Sequence, residues 1–345
     1  MSKEGSRPAL GHEVAISSRV RLARNLEAYP FTTRMSRLQG AEILEKVREA
    51  LLDDAGLSGY EFSYLEMQSL KPLDRQLLVE KHLISPEFAE GNAGRAAIIS
   101  KDGRISVMVN EEDHLRLQCI YSGMQLEEAW KLCGSLGSNL DKKLGFAFDK
   151  SYGYLTCCPT NIGTGIRASV MLHLPALSMT GYIKGVLETC GKIGVAVRGL
   201  YGENSEAEGN MFQISNQVTL GQTEEEIIAG ISNITQQISE QEKMLRIELY
   251  RQNPVRFEDK IYRSLGLLRS ARLITSEESL KLISDVRLGM IMGLLQGMEL
   301  EDLNELTLMI RPAYLQKTYG EQLKPDERDQ KRAELIRKKL NERIH

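Results

Sequence analysis

Between residues 96 and 222 apolar and polar positions alternate in short runs. "AAIISKDGRISVMVN" (96–110) predicts two strands joined at Asp102-Gly103, a dipeptide suited to a tight hairpin turn. "ASVMLHLPAL" (168–177) alternates up to Pro175, and "KIGVAVRGLYG" (192–202) with "NMFQISNQVTLG" (210–221) predicts a further strand pair around a loop. "EEAWKLCGSLGSNLDKKL" (127–144) has helical spacing between them. At Thr223 the period lengthens. Thr223 and Glu226 make a T-x-x-E capping box, and Ile227, Ile231, Ile234 and Ile238 follow at helical spacing. Pro254 breaks this helix, "TSEES" (275–279) caps another, and Pro325 opens the last, with Ala333, Ile336, Leu340 and Ile344 as its apolar stripe.

The pattern predicts an α+β fold, an antiparallel sheet flanked by helices, followed by an all-helical C-terminal domain. The boundary falls within roughly 245–255, giving units of 1–250 and 251–345. Apolar runs such as "LGMIMGLLQGM" (288–298) exceed what so small a helical domain easily buries, so a homodimer through that domain is expected.

Composition changes the picture mainly by exclusion. A net charge of −3 provides no global basic field for nucleic acid, so any anion site is built locally. Residues 1–10 lack an apolar signal core, and no apolar run approaches a membrane span. Five cysteines, with no C-x-x-C pair, read as reduced thiols in a cytoplasmic protein rather than a disulfide framework.

"ISSRVRLARN" (16–25) carries the first candidate chemistry. On a strand, Arg19 and Arg21 project from one face and repel each other. Either acids on a neighbouring strand pair with them, or they await a polyphosphate, whose oxygens a guanidinium matches two at a time. Arg116, Arg167 and Arg198 also stand at strand ends or beside glycine loops. "CPTNIGTGIR" (158–167) is neither a P-loop nor a dinucleotide fingerprint. Acids cluster in "NEEDHLR" (110–116) and "GENSEAE" (202–208). Such runs are commonly solvated turns; they can also bind a cation or do acid–base work. Arginines for an anion with glutamates for a cation suggest a nucleotide donor and a cationic acceptor.

"SSRVRLAR", "VNEEDHLR", "CPTNIGTGIRASVMLHLP" and "RGLYGENSEAEGNMFQISN" together resemble the phosphagen kinases, in that family's order, over about residues 14–222. Within the superfamily the chain is most similar to the bacterial protein arginine kinases. Only eighteen residues precede the first arginine motif, where small-guanidine kinases carry a helical domain that encloses the acceptor. The resemblance therefore implies a pocket open to arginine on a protein. It assigns ATP phosphates to Arg19, Arg21, Arg116, Arg167 and Arg198, and the adenine side to His82. Interleaved motif residues come with them as ATP contacts: Ser18, Val20, Leu22, Ala168, Ser169, Val170, Met171, Gly199, Leu200, Tyr201 and Gly202. Met171 replaces a second adenine-side histidine of the small-guanidine kinases. Glu112 and Glu203 match the carboxylates that grip the acceptor guanidinium, Glu112 as base and Glu203 as aligning partner, with the reverse left open. Cys158 matches the reactive-site cysteine, which helps orient the guanidine and whose thiolate nearby arginines favour; Cys157 reads as a buried apolar cysteine.

"RDQKRA" (328–333) matches a motif associated in the protein arginine kinases with a regulatory phosphoarginine pocket, through Arg328, Asp329, Arg332 and Ala333. Spacing alone reads as a solvent-facing salt-bridge ladder. The resemblance also implies ATP and Mg²⁺ without a dedicated protein metal cage, protein substrates with exposed arginines, a CtsR-type repressor, an McsA-type activator and the ClpC/ClpP protease. Two other activities fit the same motifs: a free-arginine or other small-guanidine kinase, and a weakly active adaptor that binds phosphoarginine.

Overall fold

The period-two runs pair into one sheet. The computed structural model describes residues 14–52, 59–91, 93–199, 208–320 and 322–343. In chain order they form β1 (Ala15–Arg24), α1 (Arg37–Leu52), β2 (Phe62–Glu66), α2 (Pro72–Glu80), α3 (Pro86–Ala89), β3 (Ala96–Ser100), β4 (Ile105–Val109), β5 (Leu115–Ser122), α4 (Leu126–Leu144), the short pair β6 (Phe148–Asp149) and β7 (Gly153–Tyr154), and β8 (Ile166–His173). There follow α5 (Pro175–Thr180), α6 (Ile183–Lys192), β9 (Val195–Gly199), β10 (Met211–Asn216), α7 (Glu224–Gln252), α8 (Pro254–Ser270), α9 (Ser276–Ile291), α10 (Leu300–Met309), α11 (Pro312–Tyr319) and α12 (Pro325–Arg343). Eight strands lie in the order β2-β3-β4-β5-β1-β8-β10-β9, every neighbouring pair antiparallel. The Asp102-Gly103 hairpin forms as predicted, with Gly103 at φ +72° and the Asp102 carboxylate accepting from Arg104 N and the Ser100 hydroxyl.

Alternation decides which face each residue serves. Val20, Leu22, Ala168 and Val170 point to one face and are fully buried in the main core with α1, α4 and α7. On the other face, Ala97, Ile99 and Met108 join Met67, Ile84 and Phe88 in a smaller core beneath α2 and α3. That roof covers the β3–β4 side; Arg19 and Arg21 stand farther along the same face.

The capping box at Thr223 is present, and α7 continues through Ile227, Ile228, Ile231 and Ile238 in the main core. A third core fills the space among α8, α9, α10 and α12, around Phe257, Ile261, Val286, Leu303, Ile336 and Leu340. The seam between this core and the sheet is polar and buried. Glu242 accepts from Ala176 N and Leu177 N at the start of α5 and from Arg246 Nε at 2.8 Å, while Arg246 Nη2 donates to His173 O. His173 Nε2 lies 2.7 Å from Ser284 Oγ, which also accepts from Asn210 Nδ2.

The apolar run 288–298 does not form a surplus face. Leu288 and Leu295 are buried in the helical core, and Met290, Met292, Leu294 and Met298 pack against it. The reason is its position at the end of α9, enclosed by α8 and α10.

Candidate active site

β1 lies at the middle of the sheet, between β5 and β8. Directly opposed residues of antiparallel strands share a face. Arg21 opposes Arg167 on β8 and Gln118 on β5, Arg19 opposes Ser169, Ser169 opposes Ser215 on β10, Met171 opposes Gln213, and Gln213 opposes Arg198 on β9. Arg116 is two residues from Gln118 on the same side of β5. Arg19, Arg21, Arg116, Arg167 and Arg198 therefore share one face of five adjacent strands, with Ser169 and Met171 among them.

Their partners are few. Arg116 Nη1 pairs with Glu111 at 2.9 Å and Nη2 lies 4.0 Å from Glu112. Arg19 Nη2 donates to the Gln213 amide oxygen at 3.0 Å. Among the described residues no acid lies within salt-bridge distance of Arg19, Arg21 or Arg167, and Arg21 Nε is buried with no hydrogen bond. Burial, with Arg116 and Arg167 nearby, lowers the pKa of Arg19 to about 10. Burial and the neighbouring guanidiniums lower Arg21 too, and burial with Arg198 and Arg116 lowers Arg167. The face stores like-charge repulsion that a polyanion relieves.

Not every motif residue reaches this face. Ser18 is buried on the opposite side, its hydroxyl donating to Gly123 O and accepting from Gln125 N. Val20, Leu22, Ala168 and Val170 also turn away into the main core, so these five expected ATP contacts are not on the arginine face. The physical reason is the pleat: alternate side chains leave opposite faces, and both edges of β1 and β8 are paired within the sheet. Gly199 ends β9 beside Arg198. Leu200, Tyr201, Gly202 and Glu203 lie outside the described residues.

Two turns bring the reacting groups to the rim. After β4, Asn110 takes a left-handed conformation at φ +61°, and the turn presents Glu111, Glu112 and Asp113 before β5. The Glu112 side chain is about half exposed, and partial burial with the neighbouring Asp113 raises its pKa above the usual carboxylate range. Arg116 and Arg167 oppose that shift, which places Glu112 electrostatically beside the arginines. Thr32 donates to Glu112 O at 2.5 Å. The second turn carries Cys158, partly exposed, with its sulfur 3.0 Å from Thr160 Oγ1 and its charge felt at Arg167.

Asp113 joins the two turns. Its Oδ1 accepts from Asn25 Nδ2 at 2.6 Å and from Cys157 N at 2.7 Å. The expected role of Cys157 as a buried apolar residue is corrected here. It is half-buried, its sulfur lies 3.6 Å from the Thr32 hydroxyl, and its backbone is held by Asp113. Asp113, Asn25, Thr32 and Gln213 went unseen in the sequence. Asp113 lay within the acid run, and period-two alternation placed Gln213 on a face, but their partners are remote in the chain.

His82 follows α2 in a left-handed conformation (φ +57°), and Gln118 Nε2 donates to its carbonyl at 2.8 Å. The imidazole is solvent-accessible, yet the surrounding protein and the charges of Arg19 and Arg311 hold its pKa down to about 4, so it is neutral at physiological pH. Two cavities of about 360 and 380 Å³ open elsewhere, around Tyr154 and Glu224. Among the described residues no three histidines, cysteines or acids gather as a metal-binding group, and no helix is long and apolar enough to cross a membrane.

The family model for the ATP:guanido phosphotransferase C-terminal catalytic domain matches residues 42–245, and that for the protein-arginine kinase McsB C-terminal domain matches 254–344. A protein-arginine kinase of Caldanaerobacter subterraneus is 48% identical over 331 residues, covering 96% of this chain and 98% of its own. The chain belongs to the protein-arginine kinase family. One from Moorella thermoacetica is 47% identical over 98% of this chain and 96% of its own. The duplicated taurocyamine kinase of Schistosoma mansoni, with bound transition-state analogue components, aligns with a TM-score of 0.60 and 28% identity, covering 70% of this chain and 35% of that one. Lombricine kinase, 20% identical, has the same fold (TM-score 0.61) over 69% of this chain and 68% of its own.

The family motif in the helical region is placed differently from the solvent ladder that its spacing suggests. Arg332 is buried, donating to Ile310 O and Ile274 O at 2.9 Å each and pairing with Asp329. Ala333 is buried beside it, while Arg328 and Asp329 are half-buried at the rim, Arg328 reaching Leu323 O at 3.4 Å. Arg332 and Ala333 are thus not open ligand contacts in this structure, because the apolar stripe of Ala333, Ile336 and Leu340 turns this side of α12 inward.

Proposed function

We propose that this chain transfers the γ-phosphoryl group of ATP to arginine side chains of proteins. One observation carries the reading: Arg19, Arg21 and Arg167 share a sheet face with no acid within salt-bridge distance among the described residues, beside Glu112 and Cys158. Phosphoryl transfer needs in-line placement and charge stabilisation more than covalent help. The arginines bind the phosphates, and the neutral His82 imidazole lies to the adenine side. Mg²⁺, carried chiefly by the nucleotide phosphates and water, would supply further charge neutralisation.

The acceptor guanidinium is not nucleophilic while protonated. Glu112 aligns it and takes its proton as the N–P bond forms and the γ-phosphoryl group leaves ADP. Its pKa, raised by partial burial and the neighbouring Asp113, makes Glu112 a better base than an ordinary carboxylate. Glu203 is the second aligning carboxylate, and Cys158 orients the guanidine electrostatically.

We further propose units of 1–250 and 251–345, a cytoplasmic homodimer, and phosphoarginine sensing at Arg328, Asp329, Arg332 and Ala333, where the arginines hold the phosphoryl group and Asp329 the guanidinium. Protein phosphoarginine is then a mark for ClpC/ClpP degradation and inactivates a CtsR-type repressor in a stress response, with an McsA-type activator. These further readings rest on the resemblance of the sequence motifs to those of the protein arginine kinases.

The test is acid-labile phosphate analysis, with ³¹P NMR, of an unfolded arginine-rich protein incubated with this chain, ATP and Mg²⁺, alongside free arginine. N–P phosphate on the protein alone is expected. Label on free arginine instead assigns a small-guanidine kinase.

A further inference from the structure

α11 is docked against α2, far from it in sequence. Glu80, the last residue of α2, accepts from Ala313 N at 2.8 Å and Tyr314 N at 2.9 Å, so its carboxylate satisfies two free N–H groups at the start of α11. Lys317 on α11 pairs with Asp74 on α2 at 2.6 Å. Two residues after Glu80 stands His82, whose strained backbone is held to the arginine face by Gln118.

The far end of the contact reaches α12. Arg332 Nε donates to Ile310 O, the residue before Arg311 at the bend into α11. Arg311 and Arg332 both supply positive charge to the Glu80 carboxylate. Arg311 also pairs with Glu208 at 3.3 Å, and Glu208 begins the three residues that lead into β10. The next residue, Gly209, lies so close to α9 that a Cβ there would be 2.9 Å from Leu280 O. The helical region thus grips both the α2 side and the β10 side of the arginine face.

We propose that Glu80 is a positioning residue for the nucleotide site: by capping α11 it fixes α2, and with it His82, so that nucleotide affinity depends on how α11 and α12 are packed. This rests on the reading of the arginine face as an ATP site. Linkage makes the effect reciprocal: nucleotide bound beside His82 steadies the packing of α11.

The experiment titrates the full chain with a fluorescent ATP analogue, for wild type, Glu80→Gln, His82→Ala and the double variant, with KM for ATP and for the protein acceptor measured in parallel. The isosteric amide cannot accept both N–H groups. Glu80→Gln is expected to weaken nucleotide binding about 5- to 10-fold, to raise KM for ATP alike, and to leave the acceptor KM unchanged. It should have little further effect once His82 is gone. The milder Asp74→Asn should shift affinity in the same direction. Unchanged nucleotide affinity in a folded Glu80→Gln protein would overturn the proposal, as would full additivity with His82→Ala. Failure of the wild type to bind the analogue overturns the ATP-site reading itself. Nucleotide binding without protein phosphorylation refutes only the acceptor assignment and leaves Glu80 to be judged by binding.

Discussion

At the scale of single residues, a base and a repelled arginine have separable effects. Glu112→Gln is expected to lower kcat by about 10²- to 10⁴-fold while nucleotide affinity holds, since the proposed role of Glu112 is toward the acceptor and not the phosphates. Near-normal turnover in that variant would remove Glu112 from the base role. Arg21 should behave in the opposite way. Among the described residues no acid lies within salt-bridge distance of it, and the charges of Arg19, Arg116 and Arg167 outnumber that of Glu111 around it, so Arg21→Gln relieves repulsion in the free protein. The ligand-free variant should unfold at a higher temperature than wild type yet bind ATP at least about tenfold more weakly. Differential scanning fluorimetry with and without nucleotide reads both effects; a drop in both would mean that Arg21 serves structure first. The sequence drew attention to Arg21 because two like charges share a strand face, and to Glu112 through the resemblance of its motif to the phosphagen kinases. It did not single out Asp113 or Gln213, because an acid in an acid run and a glutamine on a strand become informative only through partners 88 residues before Asp113, at Asn25, and 194 residues before Gln213, at Arg19.

At the scale of elements, the Cys158 turn depends on a close backbone contact. Gly163 has φ +110°, and a Cβ there would stand 2.2 Å from Thr219 O, with Gly153 closing on it from the other side. Gly163→Ala therefore needs both an unfavourable backbone conformation and a shift of the segment at Thr219 that follows β10. The expected cost is about 2 kcal/mol or more in unfolding free energy, with kcat falling more than nucleotide affinity, because the displaced turn carries Cys158. Urea denaturation and steady-state kinetics check it; an unperturbed variant would show that the turn adapts. Most elements were legible from periodicity, the 96–110 hairpin and the Thr223 cap among them. The face assignment of whole motifs was not carried through. Ser18, Val20 and Leu22 alternate with Arg19 and Arg21, so the pleat alone sends them to the other side.

At the scale of the molecule, the seam between sheet and helices is buried and polar. His173, Asn210 and Ser284 form one hydrogen-bonded group across it, next to the Glu242–Arg246 pair. Thermal unfolding is expected to be a single calorimetric transition, because separating the halves would expose unpaired buried polar groups; two resolved transitions would contradict this. The seam also predicts acid sensitivity. Burial, with Arg246, Arg287 and Lys260 nearby, holds His173 well below its ordinary 6.5, and His82 and His114 are lowered too. A histidine with a lowered folded pKa binds its proton more readily in the unfolded chain. The stability this contributes is full above pH 6.5 and is lost as pH falls below it. The melting temperature should fall with pH below that point, and His173→Gln should flatten the slope.

The sequence by itself determined the alternating strands, the hairpin turn, the capped helices, the identity of the arginines and glutamates, and the motifs by which the family is known. These are local properties, set by side-chain period, turn chemistry and charge within a few residues. Only the tertiary structure decided that the arginines of β1, β5, β8 and β9 share a face, that Arg332 is buried against Ile310 O and Ile274 O, and that Glu80 caps α11. Those outcomes depend on register and packing between segments up to 234 residues apart. Pairing across strands and the filling of a core fix them, and no local pattern encodes which distant partner wins.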